Sequence, residues 1–437
     1  MLPKTIMVLT FLFISSVASG VARADGAVYA MTNALGNNQI LVYHRAADGS
    51  LNPTTPIQTI ATGGGGSGLQ LAGGDSLGSA GSVQLDQEHD LLFAINTESA
   101  MTNNGVGTYN QDCNQGTITS FRVASDGTLT FADRVSSRGL FPNSLTVSDS
   151  GESDHVLYVL NAGGPGKCGK SPNISGFRVS RNGRMHPLDS QQAIDPGPPS
   201  GAGVNCPPTG FTPSADFLCG LNPPSFPRSP GQVLFRPDGN QLIVTVKGTN
   251  TIYVFPVDDD GRAGQPTTVQ APGPALPTPF GATFGKHGHL FVSEPFGSAT
   301  SIPTGGAGAV SSFKVTKGGD LLSISSHVGD GGTAACWIAL EPRMGQFAYV
   351  TNNLSATISS YSVGLDGSVA LLAASAATAS GPNDLATAEE GCTSFLYVVE
   401  GGNGTVGVFQ IDLTNGSLVP LTAASGVPST AQGLAAF

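Results

Sequence analysis

Three charged residues each follow a short apolar stretch, and their types could support acid–base chemistry. Lys247 ends "QLIVTVK", Glu294 ends "HLFVSE" and Glu400 ends "FLYVVE". A carboxylate can activate water for attack on an ester-type carbonyl, and a cation can stabilise the charge that develops on the carbonyl oxygen. We therefore predict Glu294 or Glu400 as a general base and Lys247 as the stabilising cation. A Glu–Lys ion pair that only fixes the structure is the alternative, and the sequence leaves it open.

Asparagines close similar apolar runs elsewhere in the chain, at Asn33, Asn96, Asn161 and Asn352. Asn side chains often bond nearby backbone at strand ends, so a structural role competes with a ligand-binding one. We expect Trp337 to stack on a ligand at the rim of the site. The candidate substrate-binding residues are Arg228, Gln232, Trp337, Asn161 and Asn352.

Metal and cofactor chemistry finds little support in the residue spacing. The chain has no Ser-His-Asp order, no phosphate-binding glycine loop and no His/Cys pair at zinc-finger spacing, and its 7 His are scattered along the sequence. The acidic stretches "GESDHV" and "VDDDGR" fit hairpin turns better than calcium loops. We therefore predict no metal and no cofactor.

The apolar runs belong to a unit that recurs along the chain. Each unit has an apolar strand, a polar loop, an alternating strand and a two-residue turn that favours positive φ angles. The seven units begin at Ala27, Leu91, Val156, Gln241, His289, Phe347 and Phe395. The turns are Asp48-Gly49, Asp126-Gly127, Asn182-Gly183, Asp260-Gly261, Gly318-Gly319, Asp366-Gly367 and Asn415-Gly416.

A further strand precedes every unit except the first, and the missing strand is found in "QGLAAF" at residues 432–437. Seven units of four antiparallel strands predict an all-β, seven-bladed β-propeller whose C-terminal strand completes the first blade. We expect one propeller domain over residues 25–437. Insertions at 53–82 and 187–230 lie between blades, and they place loops on one face, where propellers usually build their sites.

The N-terminal segment has the pattern of an export signal. Lys4 precedes an apolar run, and Ala22-Arg23-Ala24 fits a small-residue cleavage site, so residues 1–24 are expected to be removed. With 19 basic and 30 acidic residues, the chain is too acidic for nucleic acid to be a plausible partner. No later segment has the apolar length of a membrane span. We predict a secreted or periplasmic protein.

Export permits disulfides among the 6 Cys residues. Cys113 and Cys168 occupy equivalent loops of adjacent blades and form a plausible pair. Cys206 and Cys219 lie in the second insertion, where a bridge would stabilise the fold by about 3 kcal/mol. Cys336 and Cys392 fall at opposite ends of the blades, so we expect both to stay unpaired.

The sequences "LFRPDGNQLIVT", "CWIAL…FAYVTNN" and "GPNDLA…FLYVVEGGNGTVGVF" resemble the seven-bladed lactonase propellers, a family that includes bacterial phosphogluconolactonase and carboxymuconate lactonizing enzyme, with its related YVTN repeats. The resemblance implies lactone chemistry at a central channel. Some residues depart from the family. Gly231-Gln232 stand where Arg-His is usual, Lys247 where Glu is usual, and Asn143 where His is common.

The leading hypothesis is an exported propeller that binds a small lactone or sugar-acid derivative in the central channel. If the protein is an enzyme, it hydrolyses this ligand. The runner-up is a non-catalytic propeller that binds carbohydrate or protein through its loops. A muconate-type cycloisomerase is a weaker alternative, because an acidic chain offers few cations for a substrate with several carboxylates. A monomer is expected.

Overall fold

The structure is a computed structural model. It describes residues 26–68, 75, 77–98, 100–101, 107–108, 116–148, 154–163, 171–195, 230–271, 278–295 and 308–437. The predicted leader, Arg228, and the cysteines at 113, 168, 206 and 219 lie outside these residues, so those predictions stay predictions. Cys336 is buried, Cys392 is exposed, and both are free thiols, in agreement with the sequence analysis. Within the described ranges, no helix has the length and apolar character to cross a membrane.

Among the described residues, the strands form seven antiparallel sheets that are the blades and one further two-stranded sheet. Blade 1 contains β1 (Ala27–Met31), β2 (Gln39–His44) and β3 (Gln58–Ala61). Blade 2 contains β4 (Val83–Asp86), β5 (Leu91–Asn96), β8 (Thr117–Val123) and β9 (Leu129–Ser136). Blade 3 contains β10 (Pro142–Val147), β11 (Asp154–Asn161), β12 (Asn173–Ser180) and β13 (Met185–Ala193). A short hairpin, β6 (Ala100–Met101) and β7 (Gly107–Thr108), interrupts blade 2.

The remaining blades follow in chain order. Blade 4 contains β14 (Pro230–Phe235), β15 (Gln241–Val246), β16 (Thr251–Pro256) and β17 (Thr267–Gln270). Blade 5 contains β18 (Ala282–Phe284), β19 (His289–Glu294), β20 (Ala309–Val315) and β21 (Leu321–Gly329). Blade 6 contains β22 (Ala335–Leu340), β23 (Phe347–Asn352), β24 (Thr357–Val363) and β25 (Val369–Thr378). Blade 7 contains β26 (Pro382–Glu390), β27 (Thr393–Glu400), β28 (Thr405–Ile411), β29 (Leu418–Pro420) and β30 (Ala424–Ser425).

The C-terminal strand β31 (Leu434–Ala436) closes the ring, as predicted. It pairs with β1 through Val28–Ala436, Tyr29–Ala435 and Ala30–Leu434. The first strand of each blade packs against the first strand of the next, and β31 contacts both β26 and β4, so the circle is complete. The buried Arg45 secures the closure, because its Nε donates to the Phe437 carbonyl oxygen at 2.6 Å and its Nη2 to Glu390 at 3.0 Å.

The turns between third and fourth strands adopt the predicted conformation. The seven turn glycines have φ angles between 75° and 91°, a region that residues with a Cβ rarely adopt. In four places a tyrosine of the second strand donates its hydroxyl to the turn glycine carbonyl of the following blade. These pairs are Tyr29–Gly127, Tyr158–Gly261, Tyr349–Gly416 and Tyr397–Gly49, at 2.8 to 3.0 Å. The tyrosine of the "YVTN" sequence therefore joins one blade to the next.

Candidate functional site in the central channel

The polar residues that end the second strands pair with the third strand of their own blade. Asn96, Asn161, Asn352, Glu294 and Glu400 occupy matching positions, each opposite the first residue of the third strand. Asn352 Nδ2 donates to Ser359 at 2.7 Å, and Asn161 Nδ2 donates to Asn173 at 3.0 Å. These hydrogen bonds fit the structural role, and ligand binding by Asn161 or Asn352 stays a prediction.

The two glutamates are also engaged inside their own blades. Glu294 is fully buried, and its Oε2 lies 2.7 Å from Nδ1 of His327 on the fourth strand. That hydrogen bond raises the pKa of His327. Glu400 accepts hydrogen bonds from Thr405 at 3.1 Å and Asn403 at 3.3 Å, while burial raises its pKa. Neither glutamate is the carboxylate that interacts with Lys247.

Lys247 lies one residue beyond the strand position that these asparagines and glutamates occupy. Val246, which pairs with Thr251 and Pro230, is the true counterpart of Asn161 and Glu400. Side chains alternate along a strand, so the next residue points the other way, and Lys247 faces inward. The sequence analysis aligned Lys247 with the strand-end glutamates, and this alignment was wrong by one residue.

A segment of the first insertion fills the channel at the level of Lys247. We call residues 77–81 the plug. The plug bonds to inner elements of four blades, which only a segment on the propeller axis can reach. Its bonds run from Ser79 Oγ to Asn143 O (2.6 Å), Ala80 N to Gly231 O (3.0 Å), Trp337 Nε1 to Ser79 O (3.1 Å), Gln432 Nε2 to Ser79 O (2.7 Å) and Lys247 Nζ to Gly78 O.

The inner strands are irregular where they meet the plug. The first strands of blades 3, 4, 6 and 7 each contain a register shift at their start. The extra residues are Asn143, Gly231, Cys336 and Asn383. A bulge of this kind re-aims side chains and carbonyl groups, and bulges are common beside active sites. Here the bulged Asn143 and Gly231 turn their carbonyl oxygens toward the plug.

Lys247, Asp75 and Asp384 form a buried charged cluster around the plug. Asp75 Oδ1 accepts a hydrogen bond from Gly78 N at 2.7 Å, while Lys247 donates to the carbonyl oxygen of the same residue and lies 4.7 Å from the Phe280 ring centre. Burial lowers the pKa of Lys247 to about 7, and the Asp75 carboxylate opposes this shift. Burial raises the pKa of Asp75 to about 6, and the Lys247 ammonium opposes that shift.

Asp384 is the most strongly shifted carboxyl group of the cluster. Burial raises its pKa to about 8, and the nearby Asp75 carboxylate adds to the effect, although hydrogen bonds from backbone N–H groups such as Leu385 oppose it. Three groups whose pKa values lie near neutrality in one buried site are suited to proton transfer. Burial favours the neutral form of both carboxyl groups, and the effect is smaller for Asp75 because the Lys247 ammonium stabilises its carboxylate.

Two predicted ligand-binding residues are structural neighbours of this cluster. Trp337 is buried beneath the plug and packs edge-to-face on Phe280, with ring centres 5.5 Å apart. Trp337 therefore does not lie at the rim, where it was expected, and its contact with a ligand stays a prediction. Gln232 is buried and its Oε1 accepts from Ala282 N at 2.7 Å, so it joins blade 4 to blade 5.

Asp75, Asp384 and Gln432 were missed by the sequence analysis. Asp75 carried a usable signal, because it is the only charged residue in the insertion at 53–82. A lone charge in a glycine-rich segment must either remain in solvent or find a buried partner. Asp384 and Gln432 gave no comparable signal, since Asp384 lies near the start of an inner strand and Gln432 lies just before one.

Known proteins support the fold. Residues 222–429 match the model of the family described as Lactonase, 7-bladed beta-propeller. The periplasmic gluconolactonase of Pseudomonas aeruginosa is 18% identical, with a TM-score of 0.62, over 93% of this chain and 98% of that one. A provisionally named 6-phosphogluconolactonase of Bacteroides fragilis is 15% identical, with a TM-score of 0.59, over 94% and 98%. Among curated proteins, none matches the sequence.

The predicted resemblance is confirmed: residues 222–429 match the lactonase propeller family model, and the fold is a seven-bladed β-propeller. Both of these solved structures are less than 25% identical to this chain, so their likeness shows the shared fold. The chemistry has to be argued from the residues of the channel.

Proposed function

We propose that the protein is a lactone hydrolase that opens a small sugar-acid lactone in the central channel. The observation that carries the proposal is the buried cluster of Lys247, Asp75 and Asp384 beside the bulged inner strands. The match to the lactonase family model and the similarity to a gluconolactonase support the same reaction class. The base is therefore moved from Glu294 or Glu400 to a carboxylate that interacts with Lys247.

Each group of the cluster has a role in the reaction. Asp75, whose carboxylate is stabilised by Lys247, takes a proton from water as the water oxygen attacks the lactone carbonyl carbon. The Lys247 ammonium stabilises the negative charge that develops on the carbonyl oxygen. The ring C–O bond then breaks, and Asp384, whose protonated form is favoured by burial, gives its proton to the departing alkoxide. The product is an open-chain hydroxy acid.

The substrate is proposed to be an unphosphorylated lactone. Among the described residues that form hydrogen bonds with the plug, Lys247 is the only positively charged one. A phosphate group normally requires several positively charged partners. The chain as a whole is acidic, with a formal charge of −11. A neutral sugar lactone needs no cluster of cations and is not repelled by the acidic chain.

The plug favours one alternative function. Leu77, Ser79 and Ala80 are buried, so the channel is filled at the level of the cluster. A substrate must therefore displace the plug before it reaches Lys247. If the plug never moves, the channel is structural, and the protein is a non-catalytic propeller that binds carbohydrate or protein through its loops.

We also propose export to the periplasm or the outside of the cell, with residues 1–24 removed. A mature chain that begins at Asp25 would start just before β1, and Gly26 O already accepts a hydrogen bond from Arg45 N at 2.9 Å. Mass spectrometry of the protein from a cell-envelope fraction gives the test. Recovery of an intact residue 1 would contradict the proposal.

Turnover on a panel of aldonolactones tests the enzyme proposal. The released acid is titrated and spontaneous opening is subtracted. We expect wild type to hydrolyse at least one lactone, and the double variant Lys247→Met/Asp75→Asn to lose at least about 100-fold in kcat/KM. The double variant removes both charges, so no buried charge is left unpaired. The exposed-surface variant Asp238→Asn serves as the control and should match wild type.

Two further variants separate the possible bases. Glu294→Gln and Glu400→Gln should retain activity if Asp75 is the base. Loss of activity in either glutamate variant, with Asp75→Asn active, would move the base back to the blade ends. Failure of wild type on every lactone would favour the non-catalytic propeller.

A further inference from the structure

A second polar cluster lies at the opposite end of the strands from the plug. Asp86 ends β4, His89 lies in the turn before β5, and His155 lies in β11 of the next blade. Their ligand-type atoms all lie within 4.8 Å of one another. The sequence analysis regarded the histidines as scattered, because 66 positions separate these two and only the packing of blades 2 and 3 brings them together.

The cluster has close and consistent geometry. His89 Nδ1 lies 3.0 Å from Asp86 Oδ2, and His155 Nε2 lies 3.1 Å from the same oxygen. The two imidazole rings stack with centres 4.0 Å apart and planes 27° from parallel. His155 is fully buried, and the side chains of Asp86 and His89 are only 5% and 11% exposed.

The backbone holds the three donors in place. Asp86 Oδ1 accepts a hydrogen bond from His89 N at 3.2 Å, which fixes the turn between β4 and β5. On the other blade, Ser148 N donates to Val156 O at 2.8 Å and Val156 N donates to Ser148 Oγ at 3.0 Å, which fixes the hairpin that carries His155. Donors fixed in this way lose little conformational freedom when they bind a ligand.

We propose that Asp86, His89 and His155 bind a zinc ion that joins blade 2 to blade 3. Two imidazole nitrogens and one carboxylate oxygen form a common zinc donor set, with bonds of about 2.0–2.2 Å in a tetrahedral arrangement. Such bonds place the donors about 3.3 Å apart, so the two His–Asp separations of 3.0 and 3.1 Å need to open by only a few tenths of an ångström. The ion replaces the direct His–Asp contacts, and solvent takes the remaining coordination position.

Metal content and thermal stability test this site independently of lactone turnover. Full-length mature protein is stripped with EDTA, supplied with zinc chloride, passed through a desalting column and analysed by elemental mass spectrometry. We expect one zinc per chain in wild type and a rise in Tm of about 3 °C at a free zinc concentration near 100 times Kd. Cobalt chloride should give the visible absorption bands of a low-coordinate nitrogen- and oxygen-ligated ion.

Matched variants assign the bound metal to these residues. His89→Gln should weaken zinc binding at least about 100-fold and abolish the rise in Tm, and its partly exposed position makes it tolerable to the fold. His186→Gln, which changes an exposed histidine of β13, should behave as wild type. Absence of retained zinc in wild type would overturn the proposal. Equal zinc affinity in wild type and His89→Gln would also overturn it, because the ion would then be held elsewhere.

Discussion

The hairpin turns, which join the third and fourth strands of each blade, are built on one principle. The central channel is built on the opposite principle. The turns repeat one arrangement, in which a glycine with positive φ meets the second strand of the preceding blade, and a tyrosine hydroxyl often bonds its carbonyl. The channel uses residues that occur once: a lysine one position out of register, a lone aspartate from an insertion and four bulged strands. The repeated features specify the propeller, whereas the departures from repetition mark the site.

The closing strand is the repeated feature on which the fold depends most. Removal of residues 434–437 takes away three pairs with β1 and the buried Leu434, and it leaves Arg45 without its carbonyl partner. We expect a loss of more than about 4 kcal/mol in the free energy of unfolding, measured by urea denaturation. Phe437→Ala keeps the backbone pairs and should cost far less. Equal stability of the shortened chain and wild type would show that the ring does not depend on this strand.

Glycine substitutions compare turns that contact a neighbouring blade with one that does not. Gly49 has φ 82°, and a Cβ there would meet the Phe395 ring, whereas Gly239 has φ 74° with open space around it. Gly49→Ala should cost about 3 kcal/mol, from backbone strain plus overpacking, and Gly239→Ala about 1 kcal/mol, from strain alone. The difference in urea midpoints measures the contact between blades. Equal costs would mean that the turns do not hold the blades together.

The charged channel should reveal itself in the pH dependence of stability. The folded pKa of Asp384, about 8, lies above its unfolded value. Its contribution to stability is therefore present at low pH and is lost as pH rises toward 8. In Asp384→Asn this loss is absent, so the stability of the variant relative to wild type should rise between pH 5 and 8, by at most about 1.4 kcal/mol per pH unit. Parallel curves for the two proteins would contradict a buried, protonated Asp384.

The Glu294–His327 pair should have the smallest effect. Its hydrogen bond raises the folded pKa of His327, so the pair stabilises the protein below the unfolded pKa of about 6.5, and the effect is lost as pH rises through the folded value. His327→Gln should cost about 0.5–1 kcal/mol at pH 5.5 and almost nothing at pH 9. Urea unfolding at the two pH values gives the measurement. A cost that is independent of pH would show that the residue acts through packing.

The sequence predicts the fold well because the signals that specify it are local. Asp-Gly and Asn-Gly turns, alternating strands and the displaced C-terminal strand are all read within a few residues. The site depends on longer-range relations. Lys247 was misaligned because one residue of register reverses the direction of a side chain, which no local pattern reveals. Asp75 contacts its partners across more than 150 positions, since a glycine-rich insertion places it on the axis.

The central claim, that the channel around Lys247 binds the lactone or its hydroxy-acid product, can be tested through Trp337. It is the only tryptophan in the chain, and its indole N–H bonds to the plug at Ser79. Titration with sodium gluconate, followed by tryptophan fluorescence, should give a saturable change in wild type and none in Lys247→Met/Asp75→Asn. Gluconate binding detected by calorimetry without any change in Trp337 fluorescence would place the ligand outside the channel and contradict the account.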